Sequence, residues 1–284
     1  MKKAKATKLG AATYLFRETA FGTDVYLYLL VGSEQALLID TGYGFTDVPA
    51  AIREITPLPL TVVNTHGHMD HIHGNHLYPC VYLSTEDEGC FRRHTDRTYL
   101  IGLLTGVLKE HHLPTFLARL PGLYGMAERV ATAYPSVHRP LPEEGCFELG
   151  GRHVTIIPTP GHTVGSISLL DETNGWLFSG DTTCRDGVLL NFPESTDVAV
   201  FRSSIQLLKD LADGGKIKKL FPGHQETPLG TDILDTYLDA CDILLSGKAD
   251  GKTLDDGRLV DKGLTIAFDK NKIGGTKNGA LDKI

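Results

Sequence analysis

The chain has 284 residues, enough for one large domain or two smaller ones with a substantial hydrophobic core. Its 28 lysines and arginines stand against 35 aspartates and glutamates, and the formal charge of −7 disfavours nucleic acid as a substrate. No apolar run approaches the roughly 18 residues of a membrane span, and none follows the basic start of the chain, so neither a span nor a signal peptide is predicted.

The first part of the chain predicts several strands and one helix. Short β-branched and apolar runs predict strands at 11–17, 25–31, 35–40, 60–64 and 80–83. The turn Gly32-Ser33-Glu34 connects two of them as a hairpin. Helical periodicity from Asp47 to Ile55 predicts a helix before the strand at 60–64.

Residues 66–71 place three histidines and one aspartate directly after the strand at 60–64. His66, His68 and His71 each offer an imidazole lone pair, and Asp70 adds a hard, negatively charged oxygen. The carboxyl end of a buried strand is where open sheets usually carry their sites. No packing need explains such a density of metal-binding side chains, so this segment predicts a metal site.

In the second half of the chain, three predicted strands are each followed by a single histidine or aspartate that could bind a metal. Strand-like runs at 153–157, 175–179 and 218–221 are followed by His162, Asp181 and His224, and a further strand is predicted at 166–170. Each residue alone is more typical of a hydrogen-bonded turn. Together with the first cluster, all three are predicted metal ligands. Helices are predicted from Asp197 to Leu211 and from Thr231 to Leu245.

On these motifs the sequence resembles the metallo-β-lactamase superfamily of binuclear hydrolases. That family has His-x-His-x-Asp-His, then Gly-His, Gly-Asp and a final Gly-His, each at the end of a core strand, and Leu38-Ile39-Asp40-Thr41-Gly42 is similar to its second-strand signature. The resemblance covers about residues 10–230. It implies an α/β fold, the four-layer αββα sandwich, built as a single domain over residues 1–284.

The resemblance also assigns the ligands to two metals. His66, His68 and His162 would hold one metal, Asp70, His71 and His224 the other, and Asp181 would bridge them. Zinc is the expected metal, with iron and manganese as alternatives because they bind the same donors. No organic cofactor is expected. Asp40, at a strand end, is the predicted hydrogen-bond partner of a ligand histidine.

The implied function is metal-dependent hydrolysis, in which a hydroxide bridging the metals attacks the substrate. Asp70 is the predicted catalytic residue, because it would orient the nucleophile and carry a proton to the leaving group. True β-lactamases of the family have Cys or Ser where this chain has Asp181, and an aspartate there resembles the glyoxalase II, lactonase and phosphodiesterase branches instead. The resemblance therefore implies an ester, thioester or lactone as the expected substrate. The alternatives are a phosphodiesterase acting on a small nucleotide or RNA end, and a redox or sulfur-oxidising member of the same fold.

The stretch between His71 and His162 is longer than in compact members of the family, and the excess lies at about 86–142. It is apolar, aromatic and punctuated by glycine and proline, which predicts two or three short helices. Above the active site these would form a lid and favour a small-molecule substrate with an apolar portion. The alternative is a homodimer interface.

Three smaller features complete the predictions. His73 stands where most relatives have glycine, and is expected to lie near the metals without binding them or to face solvent. Residues 264–268 predict a strand, and residues 270–284 are expected to pack loosely. Five scattered cysteines without paired spacing predict free thiols and a cytoplasmic protein, with Cys184 buried and inert: Cys80, Cys90, Cys146, Cys184 and Cys241.

Overall fold

A computed structural model of the chain describes residues 1–20, 22–110, 114, 137–247, 253–254 and 256–274. Much of the predicted insertion and the end of the tail, residues 111–113, 115–136, 248–252, 255 and 275–284, lie outside the described residues. The chain divides into two compact units, Met1–His153 and Val154–Ile284, each of which has its own sheets and helices.

The first unit is built on a seven-stranded sheet. The described strands of this unit are β1 Lys2–Lys3, β2 Ala6–Gly10, β3 Thr13–Ala20, β4 Thr23–Val31, β5 Ala36–Ile39, β6 Thr46–Asp47, β7 Leu60–Val63, β8 Cys80–Tyr82, β9 Val137–Arg139 and β10 Cys146–Glu148, and three of them, β1, β6 and β10, do not belong to the seven-stranded sheet. The sheet order is β2-β3-β4-β5-β7-β8-β9, and β1 pairs with β6 separately. The strands from β2 to β5 run antiparallel and those from β5 to β9 run parallel. The predicted strands of this half are therefore confirmed.

Parallel pairing of β5 and β7 decides which residues of the first unit meet. Residues 36–39 of β5 are all buried, as expected for a strand covered on both faces. The carboxyl ends of parallel neighbours lie at one edge of the sheet, so Asp40 and the segment beginning at Asn64 leave the sheet side by side. The strand order thus places the aspartate of the second-strand signature next to the histidine-rich loop.

Four α-helices accompany this sheet among the described residues: α1 Val48–Ile55, α2 Met69–Ile72, α3 Glu88–Thr95 and α4 Arg97–Glu110. Two 3-10 turns, His73–Leu77 and Thr85–Asp87, precede β8 and α3. Helix α1 begins at the predicted position because Asp47 accepts a hydrogen bond from the Ala50 amide at 2.9 Å, an N-cap.

The described residues of the second unit form two sheets and two α-helices. Its elements are β11 His153–Pro158, β12 Ile167–Asp171, β13 Trp176–Gly180, β14 Gly187–Leu190, α5 Val198–Asp213, β15 Lys219–Pro222, α6 Ile233–Leu245, β16 Thr253–Leu254, β17 Arg258–Asp261 and β18 Leu264–Phe268. Strands β11, β12 and β13 run antiparallel, and β15 joins β13 in parallel. The other sheet has the order β14-β18-β17-β16.

The helices of the second unit pack through a continuous apolar core. Phe201 on α5 meets Tyr237 on α6 with ring centroids 5.8 Å apart, and both side chains are fully buried. The Tyr237 hydroxyl donates to the Cys184 carbonyl at 2.7 Å, so its polar end is satisfied. Cys184 is itself buried, as predicted.

Two predictions need correction. The predicted helical insertion begins with α3 and α4 but ends in a strand, because β9 pairs in parallel with β8 and satisfies its backbone. The tail prediction covered residues 270–284, and it is wrong for the described part, 270–274: Lys272 donates hydrogen bonds to three backbone carbonyls, and Ile273 packs against the apolar core. Among the described residues, no helix combines the length and apolar character needed to span a membrane.

Candidate metal site

The first unit brings four predicted ligands together at the end of β7. The His66 ring lies 4.8 Å from the His68 ring and 4.1 Å from the His71 ring, between centroids. Nε2 of His71 lies 3.8 Å from a carboxylate oxygen of Asp70. The three histidines are buried, whereas 22% of the Asp70 side chain is exposed. The predicted ligands of the first unit are therefore three buried imidazoles and one carboxylate that is partly exposed to solvent.

Gly67, between two of these histidines, is required by the packing of the loop. A Cβ at this position would lie 2.7 Å from the Phe91 amide nitrogen, closer than side-chain atoms approach backbone. The Gly67 amide donates to the Asp87 carboxylate at 2.6 Å. The backbone between the two histidines is therefore held against the start of α3.

Asp40 makes the contact predicted for it. Its carboxylate lies 2.9 Å from Nδ1 of His71 and also accepts from the amide and the hydroxyl of Thr65, both at 2.8 Å. Because an ionised carboxylate only accepts, the proton of His71 resides on Nδ1. Nε2 then keeps its lone pair, and it is this nitrogen that faces Asp70.

His73 is buried and does not face solvent, so that alternative of the prediction is wrong. The 3-10 turn directs the ring inward, where Nε2 donates to the His94 carbonyl at 3.1 Å. Burial lowers the pKa of His73 to about 4, although the hydrogen bond to His94 opposes this shift. The ring is therefore neutral at pH 7.

Asp87, Cys90 and His94 lie beside the predicted ligands of the first unit, but the sequence did not predict a role for them at the metal site. The potential ligand atoms of His68, Cys90 and His94 lie within 4.8 Å of one another, and the His68 and His94 rings are 4.5 Å apart. Asp87, which holds Gly67, is fully buried. The available signal was the spacing of Cys90 and His94, four residues apart on one face of a helix. Nothing in the sequence marks Asp87 beyond its position at a helix start.

The second unit brings the remaining three predicted ligands together around Asp181. Nε2 of His162 lies 3.4 Å from one carboxylate oxygen, and Nε2 of His224 lies 3.3 Å from the other. Nδ1 of His162 donates to the Leu189 carbonyl at 2.8 Å, which leaves the lone pair on Nε2. The two oxygens of one carboxylate therefore face two different histidines.

These distances fit divalent metals. Two ligands bound at about 2.0–2.2 Å in a tetrahedral arrangement lie roughly 3.4 Å apart. The His162–Asp181 and His224–Asp181 distances in the second unit match this separation, and the His71–Asp70 distance of 3.8 Å fits a wider angle. Imidazole nitrogens mixed with carboxylate oxygens suit zinc, iron and manganese.

Comparison with known proteins points to one family. The sequence profile of the metallo-beta-lactamase superfamily matches residues 20–79 and 96–250. The human acyl-coenzyme A thioesterase MBLAC2 is 28% identical over 233 residues, 77% of this chain and 80% of that protein. The chicken (Gallus gallus) thioesterase of the same name is 29% identical over 227 residues, 76% and 78% of the two chains. A probable metallo-hydrolase of Methanocaldococcus jannaschii is 28% identical over 220 residues, 75% of this chain and 93% of its own length.

Solved structures agree on the fold. A metallo-beta-lactamase family protein from Thermus thermophilus has a TM-score of 0.59 at 22% identity, with 86% of this chain and 85% of that chain covered. A metallo-beta-lactamase from Pontibacter korlensis has a TM-score of 0.56 at 18% identity, with 84% and 98% covered. The predicted α/β metallo-β-lactamase fold is therefore confirmed.

Proposed function

Because the chain belongs to the metallo-β-lactamase superfamily and is a metallohydrolase, we propose that it hydrolyses thioesters of the acyl-coenzyme A class with a binuclear metal centre. The position of Asp181 is the main support for two metals, because one of its carboxylate oxygens faces His162 and the other faces His224. The matched relatives named as acyl-coenzyme A thioesterases support the substrate class.

In this proposal the ligands of the two units act on the same pair of metals. His66, His68 and His162 would hold one metal, Asp70, His71 and His224 would hold the other, and Asp181 would be the ligand that both metals share. The family pattern supports this assignment, as do the donor distances within each unit. When bound, the metals supply Lewis acidity and lower the pKa of a coordinated water towards about 7.

The chain's own residues contribute orientation and proton transfer. Asp40 and the Leu189 carbonyl fix the tautomers of His71 and His162, so that each presents Nε2. Asp70, the exposed carboxylate of the first unit, orients the attacking water and moves a proton towards the leaving group.

The chemistry of the leaving group favours a thioester over an ester or lactone. A thiol has a pKa of about 8.5, so a departing thiolate needs little help from an acid. A departing alkoxide is far more basic and needs a strong proton donor. One partly exposed carboxylate, Asp70, is sufficient for the first case.

A substrate panel tests the proposal. Acyl-coenzyme A thioesters of graded chain length are compared with an oxygen-ester analogue, a lactone, a cephalosporin and a phosphodiester, each with Zn²⁺, Mn²⁺ and Fe²⁺. We expect the highest kcat/KM for a thioester and its loss in the Asp181→Ala variant. Faster cleavage of the phosphodiester, with thioester hydrolysis no faster than that of Asp181→Ala, would show that the substrate class is wrong.

A further inference from the structure

The loop after β14 holds the predicted ligand His162 from three directions. The Ser195 hydroxyl donates to the His162 carbonyl at 2.7 Å, and the Phe192 ring packs edge-on against the imidazole with centroids 5.8 Å apart. The Thr196 amide donates to the Gly161 carbonyl at 2.9 Å. Since Nδ1 of His162 also donates to Leu189 on β14, both the backbone and the ring of His162 are fixed by residues 189–196.

That loop is in turn held by the C-terminal part of the chain. The Lys272 ammonium donates to the carbonyls of Phe192, Pro193 and Ser195 at 3.5, 3.2 and 3.0 Å. An ammonium group has three N–H donors, so these contacts use all of them. The Val198 amide donates to the Lys272 carbonyl at 3.1 Å, which joins the tail to the start of α5 as well.

Strand β18 also supports the loop 189–196, because it pairs with β14, the strand from which this loop begins. It pairs in parallel with β14, and Ala267 lies opposite Leu189, whose carbonyl accepts from His162. In the sheet order, β14 is at the edge and β18 is its neighbour. The position of the Leu189 carbonyl therefore depends on β18.

The segment that provides this support lies beyond the part of the chain that matches the family, which ends at residue 250. We propose that Leu264–Lys272 is a functional part of the metal site, and that Lys272 is a positioning residue that fixes His162 through the loop 189–196. This inference rests on the proposed function, because it requires His162 to bind a metal. A lysine that only anchors the tail would affect thermal stability and leave metal binding unchanged.

Three variants separate these roles. Lys272→Met keeps the length of the side chain but removes all three donors, whereas Lys272→Arg retains donors and charge. Lys262→Ala is the matched control, because it removes another ammonium of the C-terminal part, from the turn between β17 and β18, where Lys262 pairs with the exposed Asp239. Thermal unfolding of each variant is recorded first, and Lys272→Gln replaces Lys272→Met if the latter does not fold.

The first measurement needs no metal. In chelator-treated protein labelled with 15N-histidine, the Nδ1–H of His162 is expected to give an NMR signal that exchanges slowly with water, because it donates to the Leu189 carbonyl. We expect this exchange to be about tenfold faster in Lys272→Met, near wild type in Lys272→Arg and unchanged in Lys262→Ala. Unchanged exchange in a folded Lys272→Met protein would overturn the inference and leave the proposed function intact.

The second measurement is metal affinity by Co²⁺ titration with absorption spectroscopy. We expect Lys272→Met to weaken one of the two sites about tenfold, as loss of an outer partner of a ligand does, with the other site unchanged. Equal weakening of both sites, or none, would contradict the inference. A wild-type protein that binds no Co²⁺ would overturn the proposed function together with it.

Discussion

Asp40 and His71 form a buried pair, with the carboxylate 2.9 Å from Nδ1 of the imidazole and at most 2% of either side chain exposed. Asp40 adopts a φ of +61°, a left-handed conformation that aspartate and asparagine tolerate better than other non-glycine residues. The same carboxylate accepts hydrogen bonds from Thr65, directly before His66, the first of the predicted ligands. One side chain therefore fixes both the tautomer of His71 and the start of the histidine-rich loop.

Replacing that carboxylate by an amide tests its role. Asp40→Asn keeps the size of the side chain and its tolerance of positive φ, but removes the charge that holds the proton on Nδ1 of His71. We expect metal affinity to fall 10- to 100-fold at one site, the range found for partners of ligand histidines. Competition with a coloured chelator measures it.

Asp47→Asn is the control for this prediction, because it makes the same chemical change in the same unit at a helix N-cap, where asparagine caps about as well. Metal affinity as strong in Asp40→Asn as in Asp47→Asn would show that Asp40 does not orient a ligand.

Asp181 is expected to determine whether both metals are retained. Asp181→Ala removes the oxygens that face His162 and His224, so metal content and hydrolysis should fall together. Asp181→Ser should retain at least one metal because His66, His68 and His162 are unchanged. Elemental analysis and a rate assay on the same samples measure both effects. Asp186→Ala, which removes an exposed carboxylate nearby in the sequence, is the control. Wild-type turnover with full metal content in Asp181→Ala would show that Asp181 is not a ligand shared by the two metals.

Cys241 should make the stability of the protein depend on alkaline pH. Burial, reinforced by the Asp242 carboxylate, raises the pKa of this thiol to about 12. In the unfolded chain the thiol ionises near pH 8.5, so its contribution to stability is complete below that pH and is lost as the pH rises towards 12. We expect the free energy of unfolding to fall less steeply above pH 8.5 in Cys241→Ala, by up to about 1.4 kcal/mol per pH unit.

Urea unfolding at pH 7.5, 9 and 10.5 measures this dependence, with Cys146→Ala as the control at a partly exposed thiol. Parallel pH profiles for the wild type and Cys241→Ala would contradict the assignment.

The sequence predicted the elements that carry a simple periodicity. The strands ending near Val63 and Gly180, and the helix that Asp197 caps, follow from β-branched runs, apolar spacing and a capping aspartate. The ligand motifs were visible because several metal-binding side chains follow strands at short spacing. Such elements can be predicted from the sequence because each depends on residues that are close together in the chain.

What the sequence did not predict depends on contacts between distant segments. The burial of His73 requires the His94 carbonyl on α3, and the ordered position of Lys272 requires three carbonyls from residues 192–195. Neither partner is near in sequence, so no local pattern reveals it. The tail was expected to be loose because glycine and lysine are common in it, yet one lysine there has all its donors satisfied.

We propose that this chain holds two metals in a single hydrolytic centre, and the number of metals bound per chain decides whether it does. Protein purified without chelators and reconstituted with Zn²⁺ is freed of excess metal and analysed by inductively coupled plasma mass spectrometry against protein concentration. We expect close to two metals per chain in the wild type and one or fewer in Asp181→Ala. A wild-type protein with no metal above background would contradict it.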